Sequence, residues 1–331
     1  MSRLWVHGPN LFIVGAPKCG TTSMAAYLDQ HPDIYFAARK EPFFFSTDLP
    51  HAKAVTAEED YLSLFEEGAS SRYRAEGTTW YLYSKRATEA IHELCPDARI
   101  IVMLRDPIDL IVSQFQYNLL NGNEDLETIE QALAAEPARR DGKKIPGSNR
   151  IEAALHYTAM VDFAPQIERY QVRFGEDRVH VILFDDLKAD TAATVRTAFD
   201  FLDLPDIEKI DLAPENETGK MTARRFGGLY RSMVSKRGLM GRAKRLLPQS
   251  VKSAVWKGVD GLNRAAGDRS AKLELAPACR SALSDRLRPG VDRLAAFLGR
   301  DLSHWAQSVP GNAASGRPES QNGTTAGSVA P

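Results

Sequence analysis

The chain has 331 residues, with 42 Lys and Arg against 43 Asp and Glu, for a formal charge of −1. At 43% apolar and 26% charged it has the composition of a globular protein rather than a disordered or fibrous one, and the overall charge points to no nucleic-acid partner. Three scattered cysteines, Cys19, Cys95 and Cys279, argue against a disulfide framework or a structural zinc site, and no apolar run approaches the roughly 18 residues of a membrane span. The expectation is a cytoplasmic protein.

Residues 11–14 form a short apolar run ending in Gly15, as a buried parallel strand does. Residues 22–31 have helical spacing and are closed by Pro32. Residues 34–36 predict a short strand, and residues 58–66 and 84–94 predict helices. The strand at 99–104 is the clearest in the chain, and 178–184 resembles it in composition. Between those two, residues 107–120 and 151–174 predict long helices, and 190–202 predicts another after the last strand. Strands alternating with helices predict a three-layer α/β fold with a mainly parallel sheet. A C-terminal helical extension over 277–305 has apolar residues at helical spacing.

Composition changes after about residue 212. Residues 219–257 hold eleven Lys and Arg and no acidic residue. Residues 306–331 contain no aromatic residue and are rich in Gly, Ser, Ala, Asn and Pro. They predict a disordered tail, because they offer little to bury against the entropy of ordering.

The loop at residues 15–23, G-A-P-K-C-G-T-T-S, lies between the first strand and the first helix, where small residues let backbone N–H groups approach an anion. Gly15 and Gly20 have the spacing of a nucleotide-triphosphate loop, G-x-x-x-x-G-K-[ST], but Thr21 stands in place of its lysine and the lysine is Lys18. Farther on, the strand at 99–104 ends in Arg105-Asp106-Pro107, with Ser113 eight residues after the arginine. Pro107 suits a helix's first turn, with Asp106 as N-cap. Two turns later Ser113 lies on the same side as the helix start. A guanidinium and a hydroxyl so placed can converge on one phosphate.

P-K-x-G-T-T-S after a strand resembles the 5′-phosphosulfate loop of sulfotransferases that use 3′-phosphoadenosine 5′-phosphosulfate (PAPS), and residues 99–113 resemble the 3′-phosphate motif of the same family. The resemblance implies that Pro17, Lys18, Cys19, Gly20, Thr21, Thr22 and Ser23 hold the 5′-phosphosulfate, with Lys18 near the bridging oxygen, and that Arg105 and Ser113 grip the 3′-phosphate. Residues 76–82 resemble the family's E-K-[ST]-P-x-Y-[LF] segment, with Gly77 replacing the lysine and Thr79 the proline. Residues 179–187 resemble the late core strand with its acidic end, and residues 297–305 resemble a C-terminal signature. The likeness runs over roughly residues 10–305. It implies one domain over 1–305, with a basic helical segment at 219–275 inside it, and a tail at 306–331.

Lys40-Glu41-Pro42 with the following Phe43–Phe45 resembles the K-E-P-x-F-F segment of carbohydrate sulfotransferases, which makes Glu41 the catalytic base. Pro42 holds Glu41 extended, and the apolar run that follows can desolvate its carboxylate and raise its pKa. Other branches of the family use a histidine, so His31, His92 and His156 are rivals. In related enzymes a basic loop closes over the nucleotide, for which Lys220, Arg224 and Arg225 are the local candidates. The basic stretch 219–257 is alternatively a solvated face, a docking surface for a polyanionic acceptor, or a peripheral membrane contact. The implied reaction is sulfuryl transfer from PAPS to a carbohydrate, glycolipid or other small hydroxyl- or amine-bearing acceptor, with acceptor contacts expected in residues 51–59 and 121–149. No metal constellation is visible. A kinase or NTPase with a degenerate loop and a non-catalytic polyanion-binding module are the other classes.

Overall fold

In the computed structural model, which describes residues 5, 7–147, 149, 151–213, 273 and 275–308, β1 (Leu11–Gly15) is buried at every position. It sits at the centre of a five-stranded sheet ordered β2-β3-β1-β4-β5, in which every pairing is parallel. The other strands are β2 (Ile34–Phe36), β3 (Tyr73–Glu76), β4 (Arg99–Leu104) and β5 (Val179–Leu183). Strands buried on both faces read as continuous apolar runs, which is why β1 and β4 stand out in the sequence. β3 is only four residues long and carries Arg74 and Glu76, so periodicity alone does not reveal it.

The chain moves from β1 through α1 (Thr21–Leu28) toward one edge of the sheet. It later moves from β3 through α3 (Ala87–Leu94) to β4, and from β4 to β5, toward the other. Right-handed crossovers in opposite directions place their helices on opposite faces. In agreement, α1 packs with α8 (Thr191–Phe201), while α3 packs with α6 (Phe163–Phe174), which also meets the C-terminal helix α9 (Pro277–Leu298). The sheet is thus the middle of three layers.

The remaining helices are α2 (Glu58–Leu62), α4 (Pro107–Asn121), α5 (Ile129–Arg140) and α7 (Phe184–Ala189). The long helix expected over 151–174 is broken: a single 3-10 turn (Glu152–Leu155) precedes α6, which begins at Phe163. Pro165 falls in the first turn of α6, where its missing N–H costs nothing, whereas the interior of one long helix would lose a hydrogen bond there. The stretch 121–149, read as a variable loop, contains α5 and is anchored by a fully buried ion pair. Arg139 donates to both oxygens of Glu124, at 2.7 and 2.6 Å. Tyr157 adds a hydroxyl at 2.9 Å. Burial opposes the charge of Glu124, but the bonds from Arg139 outweigh it and hold the carboxyl below the usual range.

Ala306, the first residue of the expected tail, is fully buried. It packs because its N–H donates to Asp106 Oδ2 at 2.7 Å and its carbonyl accepts from Ser284 at 2.6 Å. The basic stretch 219–257, with Lys220, Arg224 and Arg225, and the chain beyond 308 lie outside the described residues.

Removing one member of a buried ion pair leaves the other charged and unpaired, at a cost of about 3–5 kcal/mol. Arg139→Met is therefore expected to lower unfolding free energy by about that amount, read as a fall in the urea midpoint at unchanged slope.

Candidate active site

The carboxyl ends of β1, β3 and β4 open on one side of the sheet, where the strand order changes direction and where open α/β sheets hold their ligands. The loop leaving β1 is shaped by two glycines. A Cβ on Gly15 would lie 2.5 Å from the Thr79 carbonyl oxygen, so the loop passes the exit of β3 at backbone contact distance. Gly20 caps α1 in the left-handed region at φ 81, and a Cβ there would meet the Phe184 ring at 2.9 Å. Between them Lys18 is itself left-handed at φ 66, a conformation that few non-glycine residues adopt.

A cavity of about 600 Å³ lies above these ends, and Pro17, Lys18, Thr21, Thr22 and Glu41 line it together. The Lys18 ammonium is 4.8 Å from the centre of the Tyr117 ring. Burial lowers its pKa, and the positive field of Arg105 works in the same direction. Three further residues of the loop are not on the cavity wall. Cys19 is buried, donating its thiol to the Pro17 carbonyl at 3.6 Å, and burial pushes its pKa up to about 12. Ser23 is buried in the first turn of α1, and Gly20 lies beneath Phe184.

Arg105 and Ser113 are also absent from the wall of this cavity. Arg105 pairs with Asp109 at 3.0 Å and lies 5.1 Å from the centre of the Phe184 ring. Its Nε and the Ser113 Oγ are both buried with no hydrogen-bond partner among the described residues. Buried donors are rarely left so, and an anionic oxygen would satisfy them. A phosphate there would share Arg105 with Asp109. Asp106 is the N-cap of α4 as expected, accepting from the Asp109 N–H at 3.0 Å.

Glu41 sits at φ 50 rather than in the extended conformation expected before Pro42, and Phe43 follows at φ 56. Its Oε1 accepts from Thr79 Oγ1 at 2.7 Å. Burial raises the Glu41 pKa, opposed by the Thr79 hydrogen bonds and by Lys40 and Lys18. The sequence signal for Thr79 was its departure from the family's proline, and the structure gives that departure a use. Gly77, where the family has a lysine, also lines the cavity, and a Cβ there would touch only Ile13, at 3.9 Å. Sterics therefore do not require a glycine at that position.

None of the rival histidines lines this cavity. His31 is buried with both nitrogens engaged, Nε2 with the Pro205 carbonyl at 3.0 Å and Nδ1 accepting the Asp33 N–H at 3.1 Å. His92 packs its ring against Phe174, and His156 faces the Tyr83 hydroxyl at 3.5 Å. The histidine that does line it is His51, stacked 4.2 Å from Phe43 and within the segment expected to meet the acceptor.

A model of the sulfotransferase family matches residues 9–208, and the chain belongs to that family. It is 22% identical over 269 residues to human (Homo sapiens) carbohydrate sulfotransferase 15, covering 66% of this chain and 47% of that one. It is 28% identical over 154 residues to the membrane-associated sulfotransferase kil1 of Dictyostelium discoideum, covering 44% of this chain and 32% of that protein. The chain thus spans about half the length, or less, of these curated relatives. The crystal structure of a sulfotransferase from Alicyclobacillus acidocaldarius superposes with a TM-score of 0.67 at 27% identity, covering 90% of this chain and 99% of that one.

These relatives overturn the expected cytoplasmic location, since one of them is a membrane-associated protein. The expectation rested on the lack of a long apolar run. Among the described residues no helix is long and apolar enough to cross a membrane, but that does not assign a compartment.

The Thr79 hydroxyl favours the ionised form of Glu41. Thr79→Val is therefore expected to move the Glu41 pKa farther above the ordinary 4.5. A carboxyl 13C NMR titration of the two proteins reads the shift directly.

Proposed function

We propose that the protein transfers a sulfuryl group from PAPS to a carbohydrate hydroxyl, with Glu41 as general base and Lys18 offsetting charge on the departing bridging oxygen. The observation that carries this reading is that Lys18 and Glu41, 23 positions apart in the chain, line one cavity beside the anion-binding loop. PAPS, when bound, supplies the sulfuryl group and a phosphate leaving group. The Gly20 turn, Thr21, Thr22 and Ser23 at the start of α1, with Lys18 and Cys19 before them, supply donors and the positive end of the helix for the 5′-phosphosulfate, and Pro17 lines the cavity beside them. Arg105 and Ser113 bring buried donors that lack a partner among the described residues, which suits the 3′-phosphate. Lys220, Arg224 and Arg225 are the further cofactor contacts in this reading.

Transfer through a loose, in-line transition state asks for positioning and electrostatic compensation more than covalent help. With the donor bound, Glu41 would take the proton that the acceptor oxygen gives up as it bonds to sulfur, and Lys18 would offset the charge left on the departing bridging oxygen. A base with a raised pKa serves better near neutrality than a free glutamate. The acceptor class follows the carbohydrate sulfotransferase among the relatives. It also suits the cavity wall, where the exposed Tyr117 ring offers a flat face to a sugar and Asn123 Oδ1 has no hydrogen-bond partner among the described residues, while the amides of Gln114 and Asn118 are engaged with each other. The test is mass spectrometry of sulfated products after incubation with PAPS and separate panels of glycans, glycolipids and simple alcohols or amines. Sulfation confined to the last panel, or none, overturns the carbohydrate reading.

Glu41→Gln is expected to lower kcat by about 10²–10⁴-fold, the usual worth of a general base, while calorimetry shows unchanged affinity for 3′-phosphoadenosine 5′-phosphate. Arg105→Ala is expected to weaken that same affinity by about 10- to 100-fold, as the loss of a charge-assisted hydrogen bond does. Equal affinity would remove Arg105 from the 3′-phosphate site.

A further inference from the structure

Segment 41–45 carries the base through two residues in the left-handed region, Glu41 and Phe43, neither of them glycine. Such a path persists only where its surroundings hold it. The Val55 N–H donates to the Pro42 carbonyl at 2.8 Å, and two hydroxyls from just past β3 hold the backbone on the other side. The Phe43 N–H points to Thr78 Oγ1 at 3.5 Å, and the Phe45 N–H donates to the Tyr81 hydroxyl at 3.3 Å. Each of these hydroxyls then passes its own proton to one carboxylate. Thr78 donates to Glu76 Oε2 at 2.7 Å and Tyr81 to Glu76 Oε1 at 2.9 Å. Tyr61 donates to the same Oε1 at 2.7 Å.

Glu76 is 1% exposed, and among the described residues no Lys or Arg pairs with it. A carboxylate in that position is costly, and a purely structural core would favour an apolar side chain. What the site needs is a group with acceptors on both sides and no donor. Thr78 and Tyr81 each receive a backbone N–H, so each must send its single proton elsewhere, and the ionised carboxylate accepts both. A glutamine would present an NH₂ to one of them and reverse that relay. The next residue, Thr79, grips the Glu41 carboxylate itself.

We infer that Glu76 is a positioning residue for Glu41, fixing the 41–45 backbone through the Thr78 and Tyr81 hydroxyls. The inference rests on Glu41 being the base. Full-length E76Q, T78V/Y81F, the triple variant and E41Q would be assayed with PAPS at about pH 8, above the Glu76 value of about 7. Calorimetry with 3′-phosphoadenosine 5′-phosphate and melting curves run in parallel. E76Q and T78V/Y81F are each expected to lose about 10- to 100-fold in kcat, with KM and product affinity within about twofold. The triple variant should be no slower than E76Q, because all three side chains act on one backbone. Unchanged kcat in E76Q, a parallel loss of product affinity, or full addition of the losses in the triple variant overturns the inference. If E76Q does not fold, T78V/Y81F decides alone, and native kcat there overturns it. An active E41Q overturns instead the reading of Glu41 as base.

Discussion

The site depends on a contact that only a missing side chain permits. β1 ends at Gly15 directly against the Thr79 carbonyl, and the Leu82 N–H donates to the Val14 carbonyl at 2.7 Å. Those two approaches lock the exit of β3 onto the exit of β1. One side of the junction runs on into Lys18 and the start of α1. The other runs through Thr79 to the carboxylate of Glu41. The Lys18 side and the Glu41 side of the cavity are therefore both built outward from one seam between the exits of β1 and β3.

Lys18 and Glu41 are displaced toward each other in acidity, the amine downward and the carboxyl upward, with burial the largest cause for both. A tight ion pair between them would have driven the two shifts the opposite way. The cavity instead keeps both groups under-compensated, and Arg105 adds to the strain on Lys18. An anion entering this field supplies the charge that Lys18 lacks and lifts its pKa again. Binding and charge compensation are then one event. The net charge of −1 hides this, because a few placed cations decide the local field.

Much of the frame was legible because its signals are local. The apolar runs of β1 and β4, the Gly-rich turn and the proline after Asp106 each follow from backbone chemistry within a few residues. Lys18, Thr21, Thr22 and Glu41 were legible through motifs, and the cavity gathers them. What was not legible depends on contacts distant in sequence. Thr79 matters because of Glu41, 38 positions away. α5 is held by an ion pair and by Tyr157 rather than by a strong apolar stripe. The left-handed backbone at Glu41 opposes the extended preference of a residue before proline, and the segment it opens is bonded by Thr78, Thr79 and Tyr81, far away in sequence.

The single carboxylate of Asp106 joins two parts of the chain 200 positions apart, capping α4 with one oxygen and holding the Ala306 N–H with the other. Alongside it Trp305 donates to Asp185 at 2.6 Å, and Arg300 forks onto Asp186 at 3.0 and 3.1 Å. The turn that presents Arg105 is thus finished by residues that lie far beyond the last strand in the chain. In the order of synthesis, β1 through β5 are all made before Ala306, the residue that completes the hydrogen bonding of Asp106. A chain cut short before Ala306 would leave the second oxygen of Asp106, next to Arg105, without that backbone partner.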